Sequence, residues 1–241
     1  MEETRERFKG AMWFNLPKQD IYIVGAGAIG SWAALFLARS GVAKSLFIMD
    51  DDVVTPVNLA GQFYGMKDIG QLKVSALSEN LKSFADINTD SLYTINIKID
   101  NSDMISGCKI IISAVDNMKT RKILFDSWKK SVRKGYEEGD GNPYIFIDGR
   151  MSAENFQIYF ITPDKIEEYE ATLFNDDEVA EAPCSYKATT HYAAMLGARI
   201  TQGYTNFLVN FDENDDVLEV PFMVEEVGKL YYTKTSSPQM L

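Results

Sequence analysis

The stretch Ile21–Asp52, IYIVGAGAIGSWAALFLARSGVAKSLFIMDDD, decides the fold. Its opening run, Ile21–Val24, has the length and apolar character of a buried strand. GAGAIG follows, placing Gly25, Gly27 and Gly30 between that strand and a helix carrying Trp32, Leu35, Phe36 and Arg39. Gly41 is suited to cap that helix, and Ser45–Asp50 reads as a second strand. In such a unit the first glycine permits the tight turn and the second lets a phosphate approach backbone N–H groups. The third packs the helix against the strand, and the helix dipole favours the anion. Asp50 lies 20 residues after Gly30, at a strand end where a carboxylate binds ribose hydroxyls. This predicts nucleotide binding without separating NAD from ATP, since both offer phosphates and a ribose.

Outward from this unit, short apolar runs alternate with helical periods, the pattern of a mainly parallel sheet. Gln71–Phe84 sets Val74, Leu77, Leu81 and Phe84 at helical spacing toward the sheet. Tyr93–Ile99 and Lys109–Val115 read as strands. A helix over Lys119–Lys130 turns Ile123, Leu124 and Trp128 inward. Arg133–Pro143 reads as a polar loop before a strand at Tyr144–Asp148, and Phe156–Thr162 as a strand in the second half of the sheet. Pro163–Pro183 is an acidic, irregular crossover, and Ala188–Phe207 is the longest helix. A β-hairpin (Val217–Val224 and Lys229–Thr233) and a frayed tail follow. The expected fold is α/β and Rossmann-like: a mainly parallel sheet with helices on both faces, antiparallel strands in its second half and a C-terminal hairpin. Residues 1–210 form the expected nucleotide-binding domain, with its glycine-rich unit at 21–52 and its crossover at 163–183. Residues 211–241 are the hairpin extension and tail.

Composition narrows the function classes. The 241 residues carry 35 Asp+Glu against 24 Lys+Arg, a formal charge of −11. A field of that sign repels polyanions, so a nucleic-acid partner is not expected without a local basic groove. The N-terminal stretch mixes both charge signs and does not read as a secretory signal. No run approaches the roughly 18 apolar residues of a membrane span. Two cysteines, Cys108 and Cys184, form no framework, which suits a reducing cytoplasm. With a single histidine besides, the chain lacks the ligands for a four-cysteine zinc site.

Downstream of Asp50 runs DDDVVTPVNLAGQFYGMKDIGQLKV, and farther on SAVDNMKTR. These resemble the ThiF/MoeB/HesA family of enzymes that activate ubiquitin-like proteins. The shared motifs are D-x-D-x-V (Asp50, Asp52, Val54), N-L-x-R-Q (Asn58, Leu59, Gln62), D-I-G-x-x-K (Asp68–Gly70, Lys73) and D-N-x-x-x-R (Asp116, Asn117, Arg121). The resemblance is close over Ile21–Phe125 and thin from Tyr144 to Leu208. It implies ATP- and Mg²⁺-dependent adenylylation of a carboxylate, most simply the C-terminus of a ubiquitin-like protein or peptide, by a homodimer. Lys73, at a helix N-terminus near the glycine turn, is placed to reach phosphates. Asp116, at the C-terminal end of a parallel strand, suits Mg²⁺. The resemblance further implies Gly25, Gly27, Ala28, Ile29, Gly30, Asp50, Asp52, Asn58, Gln62, Asn117 and Arg121 as nucleotide-site residues.

The chain departs from the family at one motif position, where Gly61 stands in place of the arginine that helps neutralise the triphosphate. Arg150, in DGRMS after a strand end, is one substitute. Arg5 and Arg7 are others, since in relatives an N-terminal arginine reaches the partner copy's ATP. Paired C-x-x-C motifs are absent, so no zinc is expected. Cys184, before the long helix and near Lys187, sits where family cysteines can bond covalently to the activated partner, or serves as a small hydrophobe. His191 reads as a packed or capping residue and Cys108 as core. Three other readings stand beside adenylylation. An NAD-dependent oxidoreductase leaves Lys73 and the D-N-x-x-x-R segment without roles. A catalytically degenerate member would bind a ubiquitin-like partner only. The family's tRNA-modifying dehydratases are disfavoured by charge.

Overall fold

Eight strands, β1 (Gln19–Val24), β2 (Ala43–Asp50), β3 (Leu92–Asn96), β4 (Ile110–Ser113), β5 (Ile145–Ser152), β6 (Asn155–Ile161), β7 (Met223–Val227) and β8 (Tyr232–Ser236), join in one sheet. Its order is β3-β2-β1-β4-β5-β6-β7-β8. The computed structural model describes residues 3–85, 87–175, 189–214 and 217–237. Strands β3 to β5 of that order pair in parallel, and β6, β7 and β8 are added antiparallel. The fold is therefore the expected mixed α/β sheet, mostly parallel at its centre and antiparallel toward the C-terminus. The hairpin β7–β8 continues the main sheet through β6.

Helices α1 (Ala28–Ser40), α2 (Lys73–Phe84) and α5 (Thr190–Glu213) share one apolar core with Ile21, Ile23, Ile112 and Ile147. On the opposite face, α3 (Met118–Glu138) and α4 (Ile166–Glu170) pack Phe125, Trp128 and Tyr169 against Ile111, Phe146 and Tyr159. Cover on both faces explains why the central strands read as unbroken apolar runs rather than alternating ones. Each such fully buried side chain contributes about 1.5–3 kcal/mol, set against the entropy of ordering the chain. Helix α1 ends as expected at Gly41, in a left-handed cap whose N–H donates to the Leu37 carbonyl.

Two differences from the sequence reading stand out. Helix α3 continues to Glu138, through the stretch expected as a loop, and caps at left-handed Gly139. Gly135, whose type argues against a helix interior, is there for packing. A Cβ on it would lie 2.0 Å from the Tyr144 hydroxyl. Phe84 turns outward, 58% exposed, with its ring in a T-shaped contact with Phe63 at 5.5 Å between ring centres. The small residues of α5 serve this chain's own interior. A Cβ on Gly197 would approach the Ala33 nitrogen of α1 to 2.8 Å. The crossover begins as a 3-10 turn at Pro163–Lys165 followed by α4.

Candidate nucleotide site

The C-terminal ends of the parallel strands lie level with one another. Val24 of β1 pairs with Ser113 of β4, and Ser113 with Asp148 of β5. The glycine turn sits on this edge. Gly25 has φ +95° and its N–H donates to the Met49 carbonyl at 2.8 Å. A Cβ on Gly30 would fall 1.8 Å from the Gly25 carbonyl oxygen, so only glycine lets α1 start this close to the turn. Gly27 caps α1 with no side-chain hydrogen bond. A Cβ on Gly27 would meet a single side-chain atom, Gln62 Nε2, at 4.0 Å. The first-turn N–H groups of α1, including those of Ala28 and Ile29, have no acceptor inside the helix. Above them, Gln62 Oε1 is buried without a partner. Open space and free N–H donors together fit a phosphate group, while the unsatisfied Gln62 oxygen is an acceptor that fits a ligand hydroxyl or amine.

Asp50 ties this turn to the next element. Its Oδ2 accepts from the Ala26 N–H at 2.7 Å, and its Oδ1 from the Asp52 N–H at 2.8 Å. Lys73 opens α2 and is 6% exposed. Its Nζ lies 2.6 Å from Asp52 Oδ2 and 3.9 Å from Asp50 Oδ1. Burial pushes the Asp50 carboxyl above its ordinary range, against the pull of Lys73 and the two backbone donors. The Tyr64 hydroxyl donates to the Ala26 carbonyl at 2.7 Å and to that of Lys73 at 3.3 Å, joining turn and helix from below. The structure thus brings Gly25–Gly30, Asp50, Asp52, Gln62 and Lys73 together.

Other expected residues have identifiable local duties. Asn58 Oδ1 accepts from the Thr55 N–H and hydroxyl at 2.7 and 2.9 Å, which orders the turn at Pro56–Ala60. Gly61 is buried, and its carbonyl accepts from Trp32 Nε1 at 3.0 Å. The Thr190 hydroxyl donates to the Ala60 carbonyl, fastening the start of α5 to the same turn. Asp116 is exposed just beyond β4. Asn117 caps α3, its Oδ1 accepting from the Thr120 N–H at 2.8 Å.

Arg121 and Arg150 belong to a second cluster on the same edge, centred on Asp148, which is fully buried. Asp148 Oδ1 accepts from Arg121 Nε at 2.6 Å, and Oδ2 from Arg150 Nε at 2.7 Å and the Tyr169 hydroxyl at 2.9 Å. Arg121 also donates to the Val115 carbonyl at 2.8 Å, steadying the loop that carries Asp116. Arg150 donates to the Thr172 carbonyl and hydroxyl and lies 4.5 Å from the Tyr159 ring centre. It stands within β5, and its guanidinium is committed to these partners. Sequence reasoning missed Asp148; its one local signal was a carboxylate closing the otherwise apolar run YIFID.

Arg7 and His191 are exposed, and the His191 ring lies 4.7 Å from that of Tyr192. Cys108 is buried, its thiol pushed up to about 12 by burial. Cys184 and the side chain of Arg5 lie outside the described residues. Among the described residues, no helix is long and apolar enough to cross a membrane, and no three His, Cys, Asp or Glu side chains converge as a metal site.

Comparisons with known proteins point the same way as this geometry. A tRNA threonylcarbamoyladenosine dehydratase of Haemophilus influenzae is 35% identical over 120 residues, covering 48% of this chain and 45% of the relative. A probable molybdopterin-synthase adenylyltransferase of Gracilaria tenuistipitata is 34% identical over 109 residues, covering 44% and 30%. The chain thus spans less than half the length of these curated relatives. The structure of E. coli MccB with ATP shares the fold, with a TM-score of 0.65 at 15% identity, covering 95% of this chain and 66% of that one. The family model described as "ThiF family" matches residues 7–221. The chain belongs to the ThiF family.

Proposed function

We propose that the chain catalyses ATP-dependent adenylylation of a carboxylate, the acceptor being the C-terminus of a ubiquitin-like protein or of a peptide. The observation that carries this reading is the shared anchoring of the glycine turn and Lys73 on Asp50 and Asp52. An NAD-dependent oxidoreductase has no use for that lysine. The relatives' names, one of them an adenylyltransferase, support the same chemistry. In the reaction an acceptor carboxylate oxygen bonds to the α-phosphorus of ATP and pyrophosphate leaves. The α1 N–H groups and the Gln62 Nε2 amide donor receive phosphate oxygens, Asp50 holds the ribose, and Lys73 offsets negative charge on the phosphates. Asp50, Asp52 and Asp116 outnumber Lys73; Asp116 would hold Mg²⁺, which would supply further positive charge against the phosphates. A homodimer in the cytoplasm, without zinc or nucleic acid, completes the proposal.

Exchange of labelled pyrophosphate into ATP, with candidate acceptors bearing free C-termini, tests it. Asp116→Ala lowers exchange at least about 100-fold, while its melting temperature stays at the parent value because Asp116 is exposed. Exchange equal to the parent's in that variant sinks the assignment. A second reading, nucleotide and partner binding without turnover, draws on the commitment of Arg121 and Arg150 to Asp148. ATP binding with no exchange across all acceptors selects it.

A further inference from the structure

Positive charge is distributed unevenly in this acidic chain. Helix α3 alone carries seven of the 24 Lys and Arg (Lys119, Arg121, Lys122, Lys129, Lys130, Arg133 and Lys134) and only three of the 35 Asp and Glu. Arg121 faces the interior, while Lys130, Arg133 and Lys134 are exposed. A groove of 860 Å³ runs between this helix and the segment Pro163–Glu170. It follows α3 from Ile123 to Tyr136, about 20 Å at the helical rise. Ile123, Val132 and Ile166 give it apolar lining. Lys130 and Arg133 line the α3 side, together with Asp126, whose charge is met by Lys129, and Asp164 and Glu167 mark the α4 side. Midway along that stretch Lys129 joins the two sides through its ion pair with Glu170.

An apolar strip between a basic and an acidic edge specifies its ligand. A nucleic-acid backbone would gain from α3 but be repelled by Asp164 and Glu167, and by the chain's overall charge. A uniformly acidic tail meets the same opposition. We infer that the groove docks an amphipathic helix of a partner polypeptide, three to four turns long. Its apolar residues recur every third or fourth position, with acidic side chains along the edge facing α3 and basic ones along the edge facing α4. The two charged edges fix which way round the helix lies, because the reversed seating puts like charges together. Occupancy bears on the candidate nucleotide site through α4, since Tyr169 donates to Asp148 and Thr172 holds Arg150. The inference stands apart from the proposed adenylylation and holds for a catalytically silent chain as well.

The test is selection by the full chain from a displayed library of random helical peptides of about 14 residues. The expected product is a set with one apolar stripe flanked by acidic residues on one edge and basic residues on the other. A selected peptide, labelled and titrated by fluorescence anisotropy, binds K130E/R133E roughly 10-fold more weakly or worse. The further variant K130E/R133E/D164K/E167K prefers the same peptide with its charged edges exchanged. All four positions lie on the surface, and circular dichroism verifies the fold. Four results overturn the inference: no charge-patterned set is enriched; K130E/R133E binds the selected peptide as the parent does; duplex DNA displaces the peptide; or sedimentation shows the groove filled by a second copy, with K130E/R133E monomeric.

Discussion

Two charged clusters share the carboxyl edge of one sheet and are built on opposite plans. Around Asp50, two carboxylates face a single lysine, and Asp52 is 66% exposed at its side chain. Around Asp148, two guanidiniums face a single carboxylate that water does not reach. The first keeps free capacity, in open space over Gly27 and an unsatisfied Gln62 amide. In the second, the Asp148 oxygens accept two guanidinium bonds and a phenol. Residue type alone does not distinguish a site that binds from one that braces; the state of the partners does. The arginine-rich cluster braces the Asp116 loop and the start of the crossover, and the lysine-bearing one is left to meet a ligand.

The sharpest way to break this contrast is to empty the bracing cluster. Asp148→Ala leaves one buried and one half-buried guanidinium without their anion, and the expected loss is about 3–5 kcal/mol in urea unfolding. A loss below about 1 kcal/mol would mean that water already reaches the cluster. Lys73→Met acts on the other side. At the ATP concentration that saturates the parent, the rise in melting temperature shrinks, with affinity down roughly 10- to 100-fold, as expected on losing about 1.5–3 kcal/mol of charge-assisted bonding.

The pH dependence of Asp50 sharpens the same point at lower amplitude. Its carboxyl is raised in the folded chain, first by burial, so the folded state holds that proton more tightly than the unfolded one. This group therefore opposes folding above its raised pKa and ceases to do so as pH falls toward 3.8. Relative to Asp50→Asn, the parent gains stability as pH is lowered through that window; a constant difference between the two would remove the assigned burial effect. Last comes Arg150→Lys, which loses the planar fork but keeps the charge. It costs about 1 kcal/mol, with ATP half-saturation within twofold of the parent's. A tenfold rise there would move Arg150 into the nucleotide site and dissolve the distinction.

What could be read in advance followed the range of the interactions. The glycine turn, α1 and β2 rest on neighbours within one supersecondary unit, so Gly25, Gly30, Gly41 and Asp50 declared themselves by type and spacing. The central strands were legible because cover on both faces makes them apolar throughout. Helix α3 beyond Lys130 was not, because Gly135 is explained only by Tyr144, which arrives from β5. The Asp148 cluster was likewise hidden: Arg121 lies 27 residues from Asp148, and only the sheet register brings them into contact. Arg150 looked available for a phosphate because its partners Thr172 and Tyr169 come from beyond the next strand. The pairing of Lys73 with Asp52 spans 21 residues; the motif resemblance assigned both to the nucleotide site without indicating that they pair.

The bond from the Trp32 indole N–H to the Gly61 carbonyl has a practical side. It hangs a fluorophore on the loop that carries Gln62, one turn along α1 from Gly27. Of the three tryptophans in the chain, Trp128 is sealed in the far core, fully buried, and serves as a steady internal reference. A loop that shifts to receive a ligand alters the polarity felt by Trp32 and with it the colour of the emitted light. Occupancy can thus be followed optically in the unlabelled chain, in real time and without a known acceptor.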